Sequence, residues 1–450
     1  MLKRCLPLLF ALAAASVYGA YTGRIALDKP DGFYKRGETA VCTVRLFKDG
    51  KPLVGEKVRV LVRWEAQKVK SEDFVADGQP KTFSYSSDQP GWVYFGVEVL
   101  DENGKPLKAN GSRFTGHRRR KPTIVTEIGA LFAPAEIVSA VHEPADFDEF
   151  WAKRRAEAAA VTAAPTLEEL DSGVAGIKLF AVTIPSPRGV TATGYLAYPE
   201  GAKPGTLPGY IYFQALTYAD VGRRNAVARA KCGALAFAAT WHGFPVGRSN
   251  KYYDKELHDY YRRGQKGLGD REKWVYSEIF FRVLSELKFF EERPEWDGKT
   301  LIVHGISLGG ILSTFAAAID PAVTTAVIGV PSFCECNAYE AGRTPHSVYR
   351  HGGIERLKAH PELVEAGFYY DAVNFGKRIR CETFVTTGFT DESCYPSNVF
   401  AFYNAIPATT KKSIATDPRT GHFNTTRVTK GESRIAEIFR AIERSKPQDK

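Results

Sequence analysis

The stretch Leu301-Ile302-Val303-His304-Gly305-Ile306-Ser307-Leu308-Gly309-Gly310 runs from an apolar strand directly into a serine flanked by glycines, and Ile311 to Ala318 then reads as a helix. A G-x-S-x-G between strand and helix is the pattern of a nucleophile elbow, a turn so sharp that the serine hydroxyl stands exposed at the end of a sheet. A Cβ at 305 or 309 would collide with the turn, and Gly310 lets the helix lie close to the sheet.

Strand candidates surround the elbow at 177–184, 190–198, 209–213, 234–240, 300–304, 325–330, 382–387 and 412–416, and helices fit between most of them. The clearest are an amphipathic one at 147–160 and those at 273–292, 308–318 and 433–444. Strands alternating with helices need crossovers and predict an α/β fold with a mostly parallel sheet covered on both faces. The first two strands are separated by only a few residues around Pro185-Ser186-Pro187-Arg188-Gly189, which predicts an antiparallel hairpin at the sheet edge.

Before residue 146 the pattern differs. Ala40-Val41-Cys42-Thr43-Val44-Arg45-Leu46, Lys57 to Val62 and Gly91 to Val99 read as period-two strands, separated by turns such as Asp77-Gly78 and Glu102-Asn103-Gly104. They predict an antiparallel β-sandwich of the immunoglobulin-like type. The first residues, with Lys3-Arg4, the apolar run Leu6 to Ala15 and the small residues Val17 and Gly19 at −3 and −1 of a cleavage site, have the plan of a secretory leader, and the run is too short to span a bilayer. The expected division is a leader at 1–19, a sandwich at 20–121, a connecting segment at 122–145 and a catalytic α/β unit at 146–450. The chain is therefore expected to be exported, to the periplasm or beyond the cell.

The composition fits this reading. With 450 residues, 44% of them hydrophobic, two or three domains are expected, and disorder or a disulfide scaffold is excluded. Loss of Lys3 and Arg4 with the leader lowers the formal net charge of +10 by two. The basic run His117-Arg118-Arg119-Arg120-Lys121 is read as a solvated junction and not as a nucleic-acid contact. After the leader six cysteines remain, and Cys334-Glu335-Cys336 lacks the spacing of a zinc clamp, so no metal is expected.

An elbow serine needs a base and an acid, which in this architecture follow it in the order acid, histidine. Four histidines follow Ser307. His346, His351 and His360 fall in polar, loop-rich sequence where exposure is expected; His422 follows the last strand and precedes the final helix, where the base belongs. Asp391, just past the strand 382–387, can orient the imidazole, whereas Glu392 would start from another face of the turn. The backbone N–H groups of Leu308 and, in the loop after the strand 209–213, Leu216 are the candidate oxyanion donors. Trp241, His242, Phe244, Tyr252 and Tyr253 are candidate substrate-binding wall residues.

These motifs, with His142-Glu143-Pro144-Ala145-Asp146-Phe147, Trp296-Asp297-Gly298 and Asp391 to Tyr403, resemble the acetyl xylan esterase and cephalosporin-C deacetylase family of α/β-hydrolases from about Ile128 onward. The resemblance implies that Ser307 is nucleophile, Asp391 acid and His422 base, with acetylated carbohydrate as substrate and no cofactor. The family usually carries glutamine where this chain has Leu308, and histidine-glycine-tyrosine where it has Gln214-Ala215-Leu216. It has arginine-glycine-glutamine-glycine where Trp241 to Ser249 stand. The competing readings are a glycan-binding protein with an inactive hydrolase unit, a peptidase and a glucuronoyl esterase. The propeller of the peptidase kind does not fit in a hundred residues, and a glucuronoyl esterase is expected to have arginine at 308.

Overall fold

The computed structural model of the chain describes residues 21–107, 123–346, 353–422 and 425–445. The leader, the basic run His117 to Lys121 and His351 lie outside the described residues.

Among the described residues nine strands come first: β1 Tyr21–Leu27, β2 Phe33–Tyr34, β3 Thr39–Lys48, β4 Lys51–Pro52, β5 Val54–Trp64, β6 Gln67–Asp77, β7 Lys81–Ser86, β8 Gly91–Leu100 and β9 Ile124–Phe132. They make a four-stranded sheet, β1-β3-β4 with β7 also on β3, and a five-stranded sheet in the order β2-β9-β8-β5-β6. Every pair is antiparallel except β2 with β9. Ile25, Cys42 and Val44 from one sheet meet Val60, Val97 and Ala130 from the other in a common core.

Two expectations change here. Residues 124–132, expected as part of a connecting segment, form β9, which pairs with β8 along its length. β8, expected to alternate, is buried at all ten positions. One face supplies Val93, Phe95 and Val97 to the sandwich core, and the other turns Trp92 and Tyr94 onto Phe389, Tyr395 and Phe400 of the α/β unit. A strand covered on both faces has no polar side to show.

The third sheet has strands β10 Thr166–Leu170, β11 Ile177–Pro185, β12 Thr191–Pro199, β13 Leu207–Phe213, β14 Leu235–Ala239, β15 Trp296–Ile306, β16 Thr325–Gly329, β17 Glu382–Gly388 and β18 Lys412–Asp417. Their order is β10-β11-β12-β14-β13-β15-β16-β17-β18. Pairs are antiparallel as far as β12–β14 and parallel from there to β18. The hairpin of β11 and β12 is as expected, but β10, with its exposed polar Glu168 and Glu169, takes the edge position.

The helices are α1 Phe147–Ala159, α2 Arg224–Ala230, α3 Asn250–Gly264, α4 Val275–Glu291, α5 Leu308–Ile319, α6 Gly353–Ala359, α7 Pro361–Phe368, α8 Ala372–Gly376, α9 Pro396–Ala405 and α10 Thr425–Ser445. Period two in the central strands sends Val303 and Ile328 toward α1, α4 and α5, and Ile302 and Val327 toward α2 and α10. Both faces are thus covered, as a parallel sheet requires. Among the described residues no helix is long and apolar enough to cross a membrane.

Candidate active site

β15 ends at Ile306 and α5 begins at Leu308, leaving Ser307 alone at φ 59°, ψ −114°. Positive φ is costly for a side chain with a Cβ, and it persists only where the surroundings hold it. Here Ser307 N–H donates to Gly329 O (2.9 Å), and Ser307 O accepts from Ser332 N–H and Ile311 N–H, each at 3.1 Å. A Cβ on Gly305 would lie 2.2 Å from Gly309 O, and one on Gly309 would lie 2.1 Å from Phe213 O. The glycines therefore close the turn and press it against the end of β13.

The structure brings Ser307, His422 and Asp391 together from the ends of β15, β18 and β17. His422 Nε2 stands 3.1 Å from Ser307 Oγ, and His422 Nδ1 stands 2.9 Å from Asp391 Oδ2. A carboxylate only accepts, so Nδ1 carries the proton and Nε2 is left to accept from the serine hydroxyl. Asp391 Oδ1 accepts the N–H groups of Ser393 (2.8 Å) and Cys394 (2.9 Å), which fixes the carboxylate's rotation. The Asp391 side chain is wholly buried and that of His422 is 11% exposed. Glu392 points elsewhere, to an ion pair with Arg63 of β5.

Leu308 opens α5, and the first N–H groups of a helix have no partner within it. Leu216 is half-buried in the loop after β13, three residues beyond Phe213, the residue whose carbonyl the elbow abuts. Side chains brace that loop. Gln214 Nε2 donates to Thr217 Oγ1 (3.0 Å) and Ala219 O (2.8 Å), and Trp241 Nε1 donates to Thr217 O (3.0 Å).

The five candidate wall residues divide. Trp241, His242 and Tyr253 are at most 1% exposed and so leave no face for a sugar, which corrects their expected role. They join Phe244, Tyr252 and Tyr260 in one aromatic cluster. Burial, helped by the Arg282 charge, drives the His242 pKa down to about 3, so its ring is neutral and structural. Phe244 and Tyr252 remain partly exposed.

His346 is also corrected. It is buried, stacked 5.8 Å from Phe333 and 3.5 Å from Cys394 Sγ, while His360 is exposed as expected. Cys42, Cys334, Cys336 and Cys381 are free thiols, and burial holds the pKa values of Cys334 and Cys336 well above normal. Sequence reasoning missed Ser332, whose N–H holds the carbonyl of Ser307, and Trp92, whose indole reaches the loop of Asp391. Trp92 left one signal: large apolar residues at both parities of β8.

Comparison with known proteins follows the same lines. The family model described as acetyl xylan esterase matches residues 135–433. The acetyl esterase Axe7A of Xylanibacter ruminicola is 28% identical over 304 residues, which is 65% of this chain and 67% of that protein. Among solved structures, an acetyl xylan esterase from Paenibacillus sp. R4 superposes with a TM-score of 0.58 at 20% identity, over 68% of this chain and 98% of its own. Acetyl xylan esterase 1 from Thermoanaerobacterium sp. JW/SL YS485 gives 0.55 at 24% identity, over 68% and 96%. The two structural likenesses carry the α/β-hydrolase fold.

Proposed function

Because this chain belongs to the acetyl xylan esterase family, we propose that it is a serine esterase that removes acetyl groups from carbohydrate through Ser307, His422 and Asp391. The observation that carries the residue assignment is one imidazole bonded at both nitrogens, 3.1 Å from a strained serine and 2.9 Å from a buried carboxylate.

In this reading Ser307 Oγ attacks the acetyl carbonyl carbon while His422 Nε2 takes the hydroxyl proton. Asp391 stabilises the imidazolium that forms. The N–H groups of Leu308 and Leu216 receive the oxyanion, and collapse of the tetrahedral intermediate expels the sugar alcohol with the proton from His422. Water, deprotonated by the same imidazole, then releases acetate from the acetyl-serine. Phe244 and Tyr252, with ring surface still open, are the candidate sugar contacts. Acetylated xylan or xylo-oligosaccharide is the proposed substrate class, met outside the cytoplasm after export.

The test is hydrolysis of p-nitrophenyl acetate, acetylated xylan and an amide by the parent and by Ser307→Ala. Acetate release by the parent alone supports the reading. Equal rates for the two proteins overturn the triad, and amide cleavage overturns the esterase assignment.

A further inference from the structure

The loops carrying Asp391 and His422 are joined to each other and then to the sandwich. Phe389 N–H donates to Asp417 O (2.9 Å) and Thr390 N–H to Thr420 O (3.1 Å), closing the two loops into one unit. β8 and β9 hold that unit from outside. Trp92 Nε1 donates to Phe389 O at 2.7 Å, two residues before Asp391, and Gly129 N–H donates to Pro418 O at 2.8 Å, four residues before His422. The approach is so close that a Cβ on Gly129 would lie 2.0 Å from Phe389 O.

The contact is buried and specific. Trp92 is fully buried, with its ring 5.6 Å from that of Tyr395. Glu65, also buried, accepts from Trp92 N–H (2.6 Å) and from Ser397 Oγ (2.7 Å), tying the start of β8 to the start of α9. Arg63 pairs with Glu392, the residue after Asp391. Phe389 O thus has its partner on the sandwich.

We propose that the N-terminal sandwich buttresses the catalytic loops through Trp92 and Gly129, and that Trp92 is a positioning residue which, through Phe389 O, fixes the Asp391 carboxylate against His422. The proposal rests on the triad reading above. It gives the sandwich a role apart from glycan binding, because the face of β8 that bears Trp92 is closed by the hydrolase loops.

The test uses the full chain and p-nitrophenyl acetate from pH 5 to 9. Trp92→Phe keeps a ring and removes the N–H. It is expected to lower kcat about tenfold with KM within about twofold. The ascending limb of the kcat profile moves to lower pH, because an imidazolium less firmly held by Asp391 gives up its proton sooner. In an Asp391→Asn background the same change costs nothing further. Val60→Ala, which loosens the sandwich core far from this contact, leaves kcat unchanged.

A Trp92→Phe protein with parental kcat and pH limb overturns the proposal. So does an equal loss in the Asp391→Asn background, or a loss matched by Val60→Ala. Should Trp92→Phe lack a cooperative unfolding transition, Arg63→Gln is read by the same criteria. Failure of the triad reading is distinct, since it shows as activity in Ser307→Ala, which stays inactive if only the role of Trp92 is wrong.

Discussion

The N–H of Thr390 donates to the carbonyl of Thr420 at 3.1 Å, so the residue before Asp391 is latched to the residue two before His422. The loops of acid and base are therefore tied to each other, and the imidazole stands bonded to both Asp391 and Ser307.

Asp391→Asn tests what the carboxylate does. The asparagine fits the same space, but its amide can donate to Nδ1 and select the wrong tautomer, with the proton on Nε2. The expected result is a fall in kcat of about 10³ to 10⁴ with little change in KM, measured on p-nitrophenyl acetate. A loss below tenfold would place the acid elsewhere.

Gly309→Ala tests the closeness of the elbow to β13. The added Cβ, 2.1 Å from Phe213 O, meets backbone that cannot swing aside. Urea unfolding is expected to show a loss of about 1–3 kcal/mol, the usual cost of overpacking. An unchanged midpoint would mean that the turn is looser than described.

Glu65→Gln tests the buried carboxylate where the sandwich meets the α/β unit. Burial raises the Glu65 pKa from 4.5 to about 7, only partly offset by the bonds from Ser397 and Trp92. The native state then holds a proton that the unfolded chain has released, so this group's contribution to stability falls as pH rises from about 4.5 to about 7. The whole effect is on the order of 3 kcal/mol. Glutamine carries no charge to bury, so unfolding curves at pH 5 and 8 are expected to show a smaller decline with pH in Glu65→Gln than in the parent. Equal slopes would contradict the shift.

Much of this was legible in sequence where local chemistry and fold agree. Gly305 and Gly309 mark the elbow because only glycine survives the contacts found there, and Asp391 and His422 are marked by following apolar strands. What was illegible depends on partners remote in sequence. His346 sits in polar text yet is buried by Phe333 and Cys394, and Trp241 in a loop reads as sugar platform or as core until Thr217 O is found on its indole. β9 lay hidden because a strand is recognised by its alternation, and its second half, Ile128 to Phe132, is buried on both sides.

The central claim, that Ser307 is the residue acylated, is tested most directly by mass spectrometry after treatment with one equivalent of a serine-directed organophosphonate. One adduct per chain on the peptide containing Ser307, and none on Ser307→Ala, is the predicted result. An adduct on another residue, or acetate release that continues undiminished once Ser307 is fully modified, would contradict it.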